Sequence, residues 1–224
     1  HPLLNTSIPN HVIHIRKPLP SDLFNTYPQF PHYKCIKAIA MNSRIIITGG
    51  PSAGKTTLIT ALEKSGFHCQ PESGRAVIKQ QMDINGDALP WRSPARFAEA
   101  MQAMDINAWY QAEQSDRPLF YDRALPDIAG YLTLVGEPIP NRLHRAINQF
   151  RYATDVIILP PWKAIYKQDN ERTQSWEEAV RTYEAMREIY PRYGYRLHLL
   201  MPASIQERVN RLLGLINVIL PSRK

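Results

Sequence analysis

Gly49-Gly50-Pro51-Ser52-Ala53-Gly54-Lys55-Thr56-Thr57 decides how this chain folds. The stretch satisfies the spacing Gly-x-x-x-x-Gly-Lys-[Ser/Thr]. It follows the apolar run Arg44 to Thr48 and leads into a helical pattern, Lys55 to Ser65, that stops at Gly66. A strand, a glycine-bearing turn and a helix in that order present successive backbone N–H groups, and the positive end of a helix dipole, to one point. Such a point holds a phosphate without help from a charged side chain. Gly49 and Gly54 allow the backbone conformations the turn needs, and Gly50, Pro51, Ser52 and Ala53 complete it. Lys55 is placed to reach β- and γ-phosphate oxygens, the Thr56 hydroxyl to join the shell of Mg²⁺, and Thr57 to pack or touch the α-phosphate. An empty glycine turn would satisfy the same spacing, but the strand before and the helix after make a nucleoside triphosphate the expected occupant.

Outward from this turn, short apolar runs alternate with longer helical periods, which predicts an α/β fold with a parallel sheet. The expected strands are Arg44 to Thr48, Phe67 to Pro71, Leu119 to Asp122, Asp155 to Leu159 and Arg196 to Met201, all read as apolar on both faces. Ser93-Pro94 predicts the start of a long helix reaching about Gln114. Ser175-x-x-Glu178 and Ser204-x-x-Glu207 are capping boxes that open two further amphipathic helices.

The 224 residues carry 27 Lys and Arg against 20 Asp and Glu, a net charge of +7, which suits a polyanionic ligand without choosing one. Residues 1–42 hold six of the 19 prolines and read as an N-terminal arm or an extension ahead of Met41. Residues 43–224 read as one P-loop domain. Tyr27, Phe30, Tyr33 and Ile36 offer the arm an alternative role docked on that domain. Cys35 and Cys69 have neither Cys-x-x-Cys spacing nor a paired His, which argues against a disulfide framework or a zinc site and for a reducing compartment. The longest late apolar stretch, Leu212 to Leu220, is too short to span a bilayer, and no secretory signal opens the chain, so a cytoplasmic location is expected. With no helix-turn-helix signature and no basic stripe interleaved with aromatics, nucleic acid is a poor partner. Oligomeric state is not legible.

Other motifs narrow the class of P-loop protein. No apolar strand ends in Asp-Glu, no Asn-Lys-x-Asp reads guanine and no Leu-Ser-Gly-Gly-Gln is present, which disfavours motors, switches and transporters. The third strand instead ends in Asp122-Arg123, at the edge where α/β sheets bind ligands. Asp122 is placed to hold Mg²⁺ or accept a proton, and Arg123 to position substrate; a helix cap near Leu125 is the alternative role for Asp122. Glu72 and Arg75, after the second strand, form a second acid and base pair suited to a hydroxyl acceptor, with a helix N-terminal carboxylate as the alternative. Residues 160–175 read as a lid bringing Lys167 or Arg172, the latter preferred, onto the transferring phosphoryl group. Trp91, in the turn between two helices, is either a stacking residue for the acceptor or part of the core.

Together GGPSAGKTT (49–57), PESGRAVI (71–78), ALPW (88–91), FYDRALPDIAGYL (120–132) and the stretch from Pro160 through ERTQ (171–174) resemble a known family. It is the predicted AAA-type, P-loop ATPase/kinase-like family related to the nicotinamide riboside kinase domain of NAD-biosynthesis regulators. That resemblance implies a three-layer nucleotide-kinase-type fold with a five-stranded parallel sheet in order 2-3-1-4-5, ATP and Mg²⁺ at the loop, and a lid after the fourth strand. It also implies phosphate and metal roles for Lys55, Thr56 and Asp122 and an acceptor role for Glu72. The expected activity is ATP-dependent phosphoryl transfer to a hydroxyl of a small, nucleoside-like acceptor, with adenine as the default base. The alternative is a regulatory binding module that hydrolyses ATP or GTP slowly.

Overall fold

The structure, a computed structural model, describes residues 43–112, 117–166 and 175–219. The arm, Cys35, and the lid residues Lys167 and Arg172 lie outside the described residues. Among the described residues five strands run in chain order: β1 (Arg44–Gly49), β2 (His68–Gln70), β3 (Leu119–Asp122), β4 (Asp155–Leu159) and β5 (Arg196–Leu199). They form one parallel sheet in spatial order β2-β3-β1-β4-β5. This is the order the family resemblance implied.

Among the described residues seven α-helices connect and cover the strands: α1 (Lys55–Lys64), α2 (Ser73–Asp83), α3 (Pro94–Gln111), α4 (Leu125–Leu134), α5 (Asn141–Gln149), α6 (Trp176–Arg192) and α7 (Ile205–Ile219). The alternating pleat of β1 divides them into two layers. Ile46 faces one way, joining Tyr121, Val156 and Ile158 against α2 through α6, while Ile45 and Ile47 face the other, joining Phe120, Ile157 and Leu159 against α1 and α7. A run of three isoleucines is therefore consumed on both sides of the sheet. Each such side chain, fully buried, contributes about 1.5–3 kcal/mol.

The outer strands correct the expectation of strands apolar on both faces. In β2 His68 is exposed and Cys69 and Gln70 are half-buried; in β5 Arg196 and Leu199 are exposed. The helices cover the three central strands most completely, and the sheet's margins extend toward solvent. At the amino end of this margin Asp155 accepts hydrogen bonds from Arg196, at 3.0 and 2.9 Å, and contacts His198 Nε2 at 2.6 Å, tying β4 to β5.

The helix ends follow the local sequence with one exception. Ser175 Oγ accepts the Glu178 N–H at 3.1 Å, and Glu178 returns the bond to the Ser175 N–H at 2.7 Å. Ser204 and Glu207 make the same exchange at 3.3 and 3.1 Å. Pro94 does open α3, but the Ser93 side chain makes no capping bond. The turn preceding α4 is closed by Asp127, whose carboxylate accepts the Ala124 N–H at 3.0 Å, so Asp122 is not the cap of that helix.

Candidate functional site

The phosphate-loop residues span the carboxyl tip of β1 and the first turn of α1. Register pairs Ile47 with Asp122 and Gly49 with Leu159, so the loop, the end of β3 and the end of β4 share one edge of the sheet. Gly49 adopts φ 137°, and a Cβ there would run into the Leu159 carbonyl, so a glycine is required where the chain leaves β1 against β4. Gly54 is left-handed at φ 76° and precedes the first turn of α1, in which Lys55 is buried while Thr56 and Thr57 are exposed.

Three elements bring charge to this edge. The Lys55 ammonium comes from α1 and is 8% exposed. Burial pushes its pKa down, and Arg123 adds to the effect, while Asp122, Glu72 and Asp127 oppose both. Glu72, which precedes α2, accepts Arg123 Nε at 3.0 Å on one oxygen and lies 3.4 Å from Arg75 Nε on the other. Burial raises its pKa, but Arg123, Lys55 and Arg75 outweigh burial and hold the carboxyl below its usual range. Asp122, closing β3, shows the opposite balance: burial raises it, Glu72 and Asp127 add to that, and Lys55 and Arg123 do not overcome them.

Arg123 occupies the left-handed region at φ 67°, with its N–H donating to the Ile47 carbonyl at 3.0 Å. That turn directs its guanidinium between Glu72 and Asp127, which it reaches at 3.0 and 3.1 Å. Burial opposes the charge, and Glu72, Asp127 and Asp122 more than restore it. Lys55, Glu72, Asp122 and Arg123 thus form one electrostatically coupled group, with Arg75 at its rim. Trp91 is placed elsewhere. It is 63% exposed, which removes it from the core, and lines a groove with Gln81, Met82, Asn85, Gly86, Leu89 and Arg92 that none of the four charged residues borders.

Two important acids escape a reading of motifs. Asp127 accepts hydrogen bonds from the Thr48 and Tyr190 hydroxyls, the Ala124 N–H and Arg123, and so joins β1, α4 and α6 behind the site. Its partners Thr48 and Tyr190 are 79 and 63 residues away in sequence, so no local pattern announces the hub. Asp105 of α3 is pushed up to about 7, chiefly by burial; a hydrogen bond with Ser73 resists this, and Asp127 and Glu72 reinforce it. A signal for Asp105 did exist: it stands one helical turn from each of Met101 and Trp109, both buried, so a carboxylate interrupts an apolar stripe.

Asp122 Oδ1 is buried without a hydrogen-bond partner among the described residues. An orphaned carboxylate oxygen beside a phosphate loop suits a hard cation, and the Thr56 hydroxyl is a second oxygen donor of the right kind. Among the described residues no group of three or more His, Cys, Asp or Glu side chains forms a self-sufficient metal site. The donors therefore fit Mg²⁺ held jointly with a ligand's phosphates rather than by the protein alone.

Solved structures of other proteins agree with this architecture. The solved structure of NadR protein in complex with NR superposes with a TM-score of 0.61 at 16% identity, over 84% of this chain and 54% of that one. The present chain thus spans about half the length of that protein. Thymidylate kinase from Ehrlichia chaffeensis superposes with a TM-score of 0.55 at 12% identity, over 79% of this chain and 98% of that one. At such identities the likeness establishes the P-loop nucleotide-kinase fold. No curated protein matches the sequence. A family model described as an AAA domain matches residues 44–208, a span that runs from the first residue of β1 into α7 and takes in the loop and both acidic strand ends, and the chain belongs to that family of P-loop domains.

Proposed function

We propose that this domain is an ATP- and Mg²⁺-dependent phosphotransferase that acts on a hydroxyl of a small, nucleoside-like metabolite. The observation that carries the reading is the coupled group at the sheet edge, where a buried lysine beside the phosphate loop faces two carboxylates with opposite pKa displacements. Mg²⁺, held by Thr56, Asp122 and the triphosphate, would neutralise developing phosphate charge. Lys55 supplies the neighbouring positive charge, and a triphosphate would relieve the burial that depresses its pKa.

Glu72 supports the acceptor role in a particular way. Held below its ordinary pKa, it is ionised at neutral pH and is a weak base, so its contribution is to accept the acceptor's hydrogen bond and orient the oxygen. A loose phosphoryl-transfer transition state needs little more, since most of the catalysis is positioning and charge stabilisation. Arg75 and Arg123 hold Glu72 in place. Arg172 is proposed as the lid cation within a lid near residues 160–175, and Trp91 as an acceptor contact, both as extensions of this reading. A cytoplasmic setting belongs to the same proposal; among the described residues no helix is long and apolar enough to cross a membrane.

A second reading, a regulatory module with slow ATP or GTP hydrolysis, draws on the engagement of both Glu72 oxygens by cations. The two separate by product. Incubation with Mg–ATP and a panel of nucleosides should yield ADP with an equal amount of phosphorylated nucleoside, and Lys55→Ala should abolish it while leaving the circular dichroism unchanged. ADP and free phosphate alone would support the regulatory reading, and turnover undiminished in Lys55→Ala would reject both.

A further inference from the structure

Arg208 is a buried cation without a counter-ion among the described residues. It projects from α7 and is 2% exposed, yet no carboxylate pairs with it among the described residues, and burial is what pushes its pKa down. Its guanidinium donates from Nη2 to the Ala53 carbonyl at 3.1 Å and from Nη1 to the Gly54 carbonyl at 3.4 Å. It lies 5.6 Å from the centre of the Trp162 ring, and its Nε is buried without a hydrogen-bond partner among the described residues. A Cβ at Gly54 would stand 2.6 Å from Nη1, so the second glycine of the loop makes room for this arginine.

Burying an unpaired charge is costly, and two neutral carbonyls compensate it only in part. What the contact achieves follows from peptide geometry. A trans peptide is planar, with its C=O and N–H pointing in opposite directions. The Ala53 carbonyl shares a plane with the Gly54 N–H, and the Gly54 carbonyl shares one with the Lys55 N–H. A fork that holds both carbonyls on the α7 side therefore turns both N–H groups away from α7. The Gly54 carbonyl also accepts the Leu58 N–H at 3.2 Å, so Arg208 adds a second, charged donor to the first bond of α1. Positive charge on the oxygen side polarises both peptides and strengthens their N–H groups as donors.

We propose that Arg208 is a positioning residue for nucleotide phosphates: by clamping the Ala53 and Gly54 carbonyls it orients the Gly54 and Lys55 N–H donors of the phosphate loop and makes loop occupancy depend on the docking of α7. The proposal rests on the reading of that loop as a nucleotide site. The fork matters as well as the charge, because a lysine ammonium is a point donor that does not reproduce the paired geometry.

Calorimetric titration of the full chain, with Mg–ATP and with AMP, tests this in wild type, Arg208→Lys and Arg208→Met. Loss of two charge-assisted bonds predicts Mg–ATP binding weakened about 10- to 100-fold in Arg208→Met and less in Arg208→Lys, with AMP changed by less than about twofold. A purely architectural arginine would lower both affinities alike. Mg–ATP affinity within about twofold of wild type in Arg208→Met, or equal losses for ATP and AMP, overturns the inference while leaving the nucleotide site standing. Absence of any Mg–ATP heat in wild type defeats the proposed function itself, and this inference with it. Should Arg208→Met fail to fold, Arg208→Lys and the wild-type spectrum decide. Adding magnesium tripolyphosphate must shift the Arg208 Nε–H resonance together with the Gly54 and Lys55 amides, and an unmoved Arg208 resonance overturns the clamp.

Discussion

Replacing Asp105 by asparagine should stabilise the protein, and should do so more at high pH than at low. The folded chain raises this carboxyl from its ordinary 3.8 to about 7. Below pH 3.8 the group is protonated in folded and unfolded chains alike and has no effect. Between 3.8 and about 7 the unfolded chain releases the proton while the folded chain retains it, so wild-type stability falls as pH rises; above about 7 both are ionised and the loss is complete. Three pKa units correspond to about 4 kcal/mol as an upper bound, of which the two units between pH 5 and 7 carry about 3 kcal/mol. Asparagine keeps a hydrogen-bonding partner for Ser73 and does not titrate. The advantage of Asp105→Asn over wild type should therefore grow by up to about 3 kcal/mol between pH 5 and pH 8. With a urea m-value of about 2 kcal/mol/M, that is a relative midpoint shift of up to about 1.5 M. Equilibrium urea unfolding of both proteins at pH 5, 6, 7 and 8 measures it. A stability difference that stays constant over this range, or one that shrinks as pH rises, would refute the assignment of Asp105 as a carboxyl kept neutral by burial.

Three other outcomes are expected. Glu72→Ala, which removes the oxygen that orients the acceptor hydroxyl, should lower phosphoryl transfer to the acceptor about 10²-fold while changing ATP affinity less than about threefold, as single-turnover assays and calorimetry would show; a matching collapse of ATP binding would place Glu72 on the nucleotide side. Asp127→Ala should cost about 3–5 kcal/mol in urea unfolding, because it strands Arg123, two hydroxyls and a backbone N–H in a buried place, and a loss below about 1 kcal/mol would contradict the hub. Removing magnesium with EDTA should end turnover yet leave the melting temperature of the nucleotide-free protein unchanged; a clear drop in melting temperature would reveal a structural metal.

Legibility from sequence followed the range of the interactions. The phosphate loop was readable because its requirements are met within nine consecutive residues, and the capping boxes at Ser175 and Ser204 because theirs are met within four. The burial of a strand's two faces is a long-range property, which is why β2 and β5 read locally as apolar on both faces although they lie at the margins, where the family resemblance placed them. Lys55, Glu72, Asp122 and Arg123 were all visible as residues next to strand ends, but their coupling through Arg123 depends on a bridge to Glu72, 51 positions back in the chain. Asp127 and Arg208 were missed for the same reason, Arg208 meeting the loop across more than 150 residues. Asp105 alone was recoverable, since the apolar stripe it interrupts is a local pattern.

The left-handed backbone at Arg123 carries a consequence for evolution in the laboratory. An L-residue with a full side chain in this region is disfavoured by about 1–2 kcal/mol, and glycine relieves that strain. Selection for heat tolerance alone, with catalysis left unscreened, would relieve that torsion by admitting glycine or asparagine at this codon wherever the lost ion pairs matter less than the relaxed main chain. Retention of arginine across such a library would mean that its two carboxylate partners already repay the torsion, whereas its disappearance would identify a residue maintained for chemistry at the expense of endurance.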